Sequence, residues 1–97
     1  MKFKFTLVPS ADRDLAYFTV REQKIILGAI RRFLGVDANV KSKRRKQLRP
    51  NPLAPWELKV GEYRVFYEAR PEGLVRLLAV GHKVHNELFI RGQRAEI

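Results

Sequence analysis

The amino-acid sequence predicts an α+β fold: an N-terminal strand, a two-helix hairpin, then a three-strand antiparallel meander and a short tail or helix, with the helices on one face of the sheet. Three observations carry this. Phe3, Phe5 and Leu7 alternate with Lys2, Lys4 and Thr6, the period of a half-buried strand. Thr19 and Glu22 form a T-x-x-E capping box ahead of QKIILGAIRRFL, which places Ile26, Ile30, Phe33 and Leu34 on one helical face. WELKVGEYRVFY, residues 56–67, reads as two alternating runs folded about Gly61 and Glu62.

Taken in order, the first strand ends at Pro9, and Ser10 offers a cap for a short helix. Asp12 and Asp14 fall in its first turn, where carboxylates favour the helix dipole, and Leu15 with Phe18 give its apolar stripe. The second helix starts near Val20 and stops at Gly35. The basic run and the RPNPLAP segment after it read as a loop, because the prolines remove backbone donors. Gly61 at the first central position suits a type II′ turn, which sets Val60 opposite Tyr63, Lys59 opposite Arg64 and Leu58 opposite Val65. Trp56, Leu58, Val60, Tyr63, Val65 and Tyr67 then share one face, with the aromatics read as core. Glu57, Lys59, Arg64, Phe66 and Glu68 share the other, which is expected to stay open as a concave surface. A turn at residues 70–73 leads to LVRLLAVG, an apolar run suited to a central strand and broken by Gly81. The tail, HKVHNELFIRGQRAEI, could form one more helix capped by Asn86, with Leu88 and Phe89 packing.

A chain of 97 residues is expected to be one domain, residues 1–97. Its 45% apolar and 31% charged residues are those of a folded soluble protein, and no apolar run approaches the ~20 residues that span a bilayer. The amino terminus lacks a secretory pattern, so a cytoplasmic setting without membrane contact is expected. Without cysteine there is no disulfide framework and no thiol nucleophile, and His82 and His85 alone make no zinc site; no metal or other cofactor is expected. The net charge of +10 points to a polyanion or an acidic protein as partner. It is concentrated in KSKRRKQLR, residues 41–49, where Lys41, Lys43, Arg44, Arg45, Lys46 and Arg49 have no carboxylate among them.

Leu58-Lys59-Val60 followed by Gly-Glu-Tyr-Arg-Val-Phe-Tyr-Glu, and Leu-Ala-Val-Gly-His-Lys at 78–83, resemble the RelE/ParE toxin superfamily of toxin-antitoxin modules, as does the element order over nearly the whole chain. RelE-like members cut messenger RNA on the ribosome; ParE-like members poison DNA gyrase. The RelE-like branch is favoured. The resemblance implies a cognate antitoxin as partner, with operator DNA met only through it. RNA cleavage of this kind needs a base for the 2′-hydroxyl, cations around the phosphate and an acid for the departing oxygen. Arg64 matches the family's strand arginine, and its fork suits two phosphate oxygens. Lys83 falls where RelE-like members place a second cation, while His82 or Glu57 would move protons. Two positions depart from the best-studied pattern, which has a lysine where Glu57 stands and a tyrosine where Phe89 stands; phenylalanine exchanges no proton. The basic segment 41–49 and Lys59 would dock RNA or ribosome, with His85, Phe89 and Arg91 as auxiliary candidates. Each residue also has a plainer reading. Arg64 could be a cross-strand position balanced by Glu57 and Glu68, His82 a polar strand end, His85 a surface residue, and Phe66 partial core beneath the tail rather than a platform for a base.

Overall fold

The computed structural model describes residues 2–97. In chain order they form β1 (Lys4–Leu7), α1 (Pro9–Ala16), α2 (Val20–Leu34), β2 (Arg45–Gln47), β3 (Trp56–Val60), β4 (Tyr63–Arg70), β5 (Leu74–Val84), β6 (Glu87–Ile90) and β7 (Gln93–Ala95). The α+β order is as expected, and the antiparallel meander is β3, β4 and β5. The sheet is larger than the sequence suggested. Its order is β2-β3-β4-β5-β6-β7, with β1 added parallel to β5.

Local chemistry accounts for the helices. Thr19 caps α2: its hydroxyl accepts from Glu22 N at 3.2 Å while Glu22 Oε1 accepts from Thr19 N at 3.0 Å, and Gly35 closes the helix. For α1 the expectation needs correction. Pro9, not Ser10, sets the start, because its fixed φ suits the first helical position, and the extended N-cap residue is Val8. Asp14 therefore lies beyond the first turn, on the inner side, and is only 2% exposed.

The hairpin register is the one read from the sequence: Val60 opposes Tyr63, Lys59 opposes Arg64 and Leu58 opposes Val65. Trp56, Leu58, Val60, Val65 and Tyr67 join Leu15, Phe18, Ile26, Ile30 and Leu34 in the main core beneath the helices. Tyr67 is buried with its hydroxyl donating to the Ala38 carbonyl at 2.8 Å, and that burial pushes the phenol pKa up.

Three segments depart from expectation. Part of the basic run is strand, because Arg45, Lys46 and Gln47 pair with Leu58, Glu57 and Trp56. Gly81 does not end β5; it lets β6 close in, since a Cβ there would stand 2.5 Å from the Phe89 carbonyl oxygen. The tail forms two strands, not a helix. His85 and Asn86 both take positive φ, the signature of a type I′ hairpin turn, so Asn86 turns the chain where a cap was expected. Arg91 and Gly92 repeat that device between β6 and β7.

The face away from the helices is partly covered. Phe66, Ala79, Leu88 and Ala54 form a second buried cluster, flanked by Leu48, Leu53, Ile90 and Ala95. Phe66 is thus core under the tail, as its plainer reading held, so this face is not open along its whole length as expected.

Candidate functional site

Strand parity decides which of the candidate residues share a surface. Glu57, Lys59 and Arg64 project from β3 and β4 on the face away from the helices, and Lys46, opposite Glu57 on β2, joins them. Across β5, Arg64 faces Gly81, so no side chain on that strand crowds it. Lys83 lies two residues further along β5, about 7 Å by strand rise.

Arg64 and Glu57 are each only 12% exposed, with Nε and Oε1 3.7 Å apart. The guanidinium is anchored on its other side, where Nη1 donates to the carbonyls of Gly61 at 2.7 Å and Tyr63 at 2.9 Å. Those two bonds occupy both Nη1 protons. The Nε/Nη2 edge, the one with fork geometry for a carboxylate or phosphate, carries only the long pair to Glu57. Glu68, the other proposed counter-ion, turns instead to Arg76 at 2.9 Å and Arg70 at 3.5 Å.

His82 stands on the opposite face, opposed to Tyr63 on β4 and Phe89 on β6. Its ring meets Phe18 edge-on at 5.8 Å, and stacks near Tyr17 at 6.4 Å and Phe89 at 5.9 Å. It does not share a face with Arg64, contrary to a reading in which the two act together. The reason is parity: β5 continues unbroken through Gly81, so consecutive residues His82 and Lys83 point to opposite sides. Phe89 belongs to the His82 side. His85 is exposed at a turn, and Arg91 is engaged elsewhere, its Nε 2.9 Å from Asp14 Oδ1.

The His82 side has its own cleft, about 620 Å³, lined by Tyr17, Phe18, Glu22, Glu62, Tyr63, His82, Lys83 and Val84. Tyr63 donates its hydroxyl to Glu22 Oε2 at 2.9 Å. The Thr19 N–H and then the Tyr63 hydroxyl hold the Glu22 carboxyl below its ordinary pKa, while burial and the Glu22 charge push Tyr63 up. His82 Nδ1 is buried here without a hydrogen-bond partner among the described residues. Sequence reading missed this cleft; Glu22 was visible only as a cap, and nothing local signals that it meets a tyrosine 41 residues away.

The basic segment divides. Lys41, Lys43, Arg44, Lys46 and Arg49 are exposed, and among the described residues none pairs with a carboxylate. Arg44 lies over the Phe33 ring at 4.7 Å, beside Arg32 at 5.2 Å. Arg45 is structural: Nε donates to Val40 O and Nη1 to Phe33 O, both at 2.8 Å, tying β2 to the last turn of α2. Among the described residues no three His, Asp or Glu side chains gather as a metal site requires. No helix described is long and apolar enough to cross a membrane.

No family model matches the sequence, and no curated protein matches it. Solved structures do. A chain of the toxin-antitoxin complex RelBE2 from Mycobacterium tuberculosis is 21% identical and superposes with a TM-score of 0.64, covering 86% of this chain and 100% of its own. A chain of the archaeal RelE-RelB complex from Pyrococcus horikoshii is 15% identical with a TM-score of 0.67, covering 88% of this chain and 99% of its own. The chain has the fold found in these RelE-type toxin-antitoxin complexes, the fold that the hairpin and strand motifs implied.

Proposed function

We propose that the chain is the toxin of a type II toxin-antitoxin module, neutralised by a cognate antitoxin, and that it cleaves messenger RNA on the ribosome. The observation that carries this reading is the Arg64 guanidinium. Anchored through Nη1, it presents its Nε/Nη2 edge on a face that also holds Lys46, Lys59 and Lys83. In the reaction the ribose 2′-oxygen bonds to phosphorus and the bond to the 5′-oxygen breaks, leaving a cyclic phosphate. Arg64 meets the charge gathering on the non-bridging oxygens, with Lys59 and Lys83 flanking it. Glu57 is the carboxylate of that face and accepts the 2′-hydroxyl proton; a lysine ammonium or water supplies the proton to the departing oxygen. The phosphate takes the place of Glu57 on the Arg64 fork, freeing that carboxylate to act as base. Lys41, Lys43, Arg44, Lys46 and Arg49 draw in RNA or ribosome.

A second reading is a gyrase inhibitor that cuts nothing, or a silent member that only binds an antitoxin. It draws on two features: His82 faces away from Arg64, and Phe89 has no hydroxyl. Induction of the protein, with RNA ends and gyrase-dependent DNA breaks mapped side by side, separates the readings. New RNA ends within coding regions are expected. DNA breaks without them support gyrase inhibition, and harmless expression of folded protein supports the silent form.

A further inference from the structure

Apart from Lys83, the cleft around Tyr63 and His82 has no part in the chemistry above, yet it is built from groups that read a nucleobase. Phe18 is its buried floor, and Tyr17, Tyr63 and His82 stand close to perpendicular to it, at 87°, 88° and 81°. Tyr17 is 52% exposed, which leaves ring surface available for stacking. Glu22 stands at the rim with one bond on each oxygen, Thr19 N–H on Oε1 and Tyr63 O–H on Oε2, and each oxygen keeps a further lone pair. Lys83 lines the cleft and also projects from the strand that faces Arg64, so it joins the two sites.

We propose that this cleft is a nucleobase subsite selective for guanine, with Glu22 accepting from the base's Watson–Crick edge, Tyr17 stacking on it and Lys83 meeting the attached phosphate. Guanine presents two adjacent donors, N1–H and N2–H, to a carboxylate. Adenine and cytosine place a ring-nitrogen lone pair at that point, and uracil has one N–H between two carbonyls, so each meets the charge of Glu22 badly. A cationic occupant would suit the carboxylate and the rings, but it would meet Lys83 and the net charge of +10, both of which attract a nucleotide. The inference rests on the ribonuclease reading only for the source of the base, single-stranded RNA.

The test is a titration of the full chain with GMP, AMP and inorganic phosphate at fixed ionic strength, followed by amide and His82 ring resonances. GMP is expected to bind at least about tenfold more tightly than AMP, with shifts at Tyr17, Tyr63 and His82 that inorganic phosphate does not produce. Glu22→Gln keeps a side-chain oxygen for the capping box, and is expected to bring the GMP-to-AMP ratio to about one in a protein with an unchanged amide spectrum elsewhere. Tyr17→Ala is expected to weaken both nucleotides alike. Equal GMP and AMP affinities in the wild type, shifts reproduced by phosphate alone, or an intact ratio in folded Glu22→Gln would each overturn the assignment. Mononucleotide binding does not depend on cleavage, so a chain that binds guanine but cuts nothing sinks the ribonuclease reading and leaves the subsite standing.

Discussion

The two faces of the sheet are built from the same strands and differ in almost everything else. The face under the helices holds the main core and ends in an aromatic cleft with Glu22 and His82. The other has a smaller core around Phe66 and ends in a row of cations held about Glu57 and Arg64. What separates them is a spacing of one residue. Because side chains alternate, neighbours in sequence such as Glu57 and Leu58 serve different surfaces, and residues distant in sequence, such as Lys46 and Arg64, serve the same one. A candidate site assembled from adjacent residues of a strand is therefore divided by the strand itself.

The contrast can be broken most severely at Phe66. Its burial on the second face predicts that Phe66→Ala costs about 3–5 kcal/mol in denaturant unfolding, the loss of a large buried aromatic; a change below about 1 kcal/mol would show that this face is open. Next comes Asp14, which ties α1 to the edge of β5 and to the turn between β6 and β7. β1 pairs with β5 only to Leu77 and the pairing of β6 with β5 begins at His82, leaving the Val80 N–H between them to donate to Asp14 Oδ2 at 3.1 Å. Asp14→Ala orphans that donor and frees Arg91, and is expected to cost about 1–3 kcal/mol by thermal unfolding.

A finer probe is pH. The folded-state pKa of Glu22 lies below its unfolded value, so its contribution is complete above an unfolded carboxyl pKa of about 4.3 and fades as pH falls through the lower, folded value. The stability gap between wild type and Glu22→Gln should narrow as pH falls below about 4.3; a gap that widens on acidification contradicts the pairing with Thr19 and Tyr63. The smallest stability effect belongs to Lys59, exposed opposite Arg64. Lys59→Ala should move the unfolding midpoint by less than about 0.5 kcal/mol while lowering RNA affinity, measured by titration at low salt.

Much of this was legible where a rule acts locally. The capping box at Thr19 and the register about Gly61 each follow from residues a few positions apart, and both stand in the structure as read. The tail was not legible, because an asparagine between polar neighbours suits a helix cap and a type I′ turn alike; pairing of β6 with β5 decides, and that is a tertiary fact. The strand in the basic run was hidden for a related reason. Arg45, Lys46 and Gln47 carry no apolar alternation, and their pairing with β3 is made by backbone. At Gly81 a strand breaker and a close-approach glycine look the same in one sequence, and only the continuation of β5 through that glycine puts His82 on the helix side.

The proposal stands or falls with the guanidinium on β4. RNA-end mapping after induction of Arg64→Ala, with folding checked by its amide spectrum, tests it most directly. Loss of the induced ends by about 100-fold or more is expected for removal of the main group stabilising phosphate charge. Cleavage that continues at the wild-type level in the folded variant would contradict it.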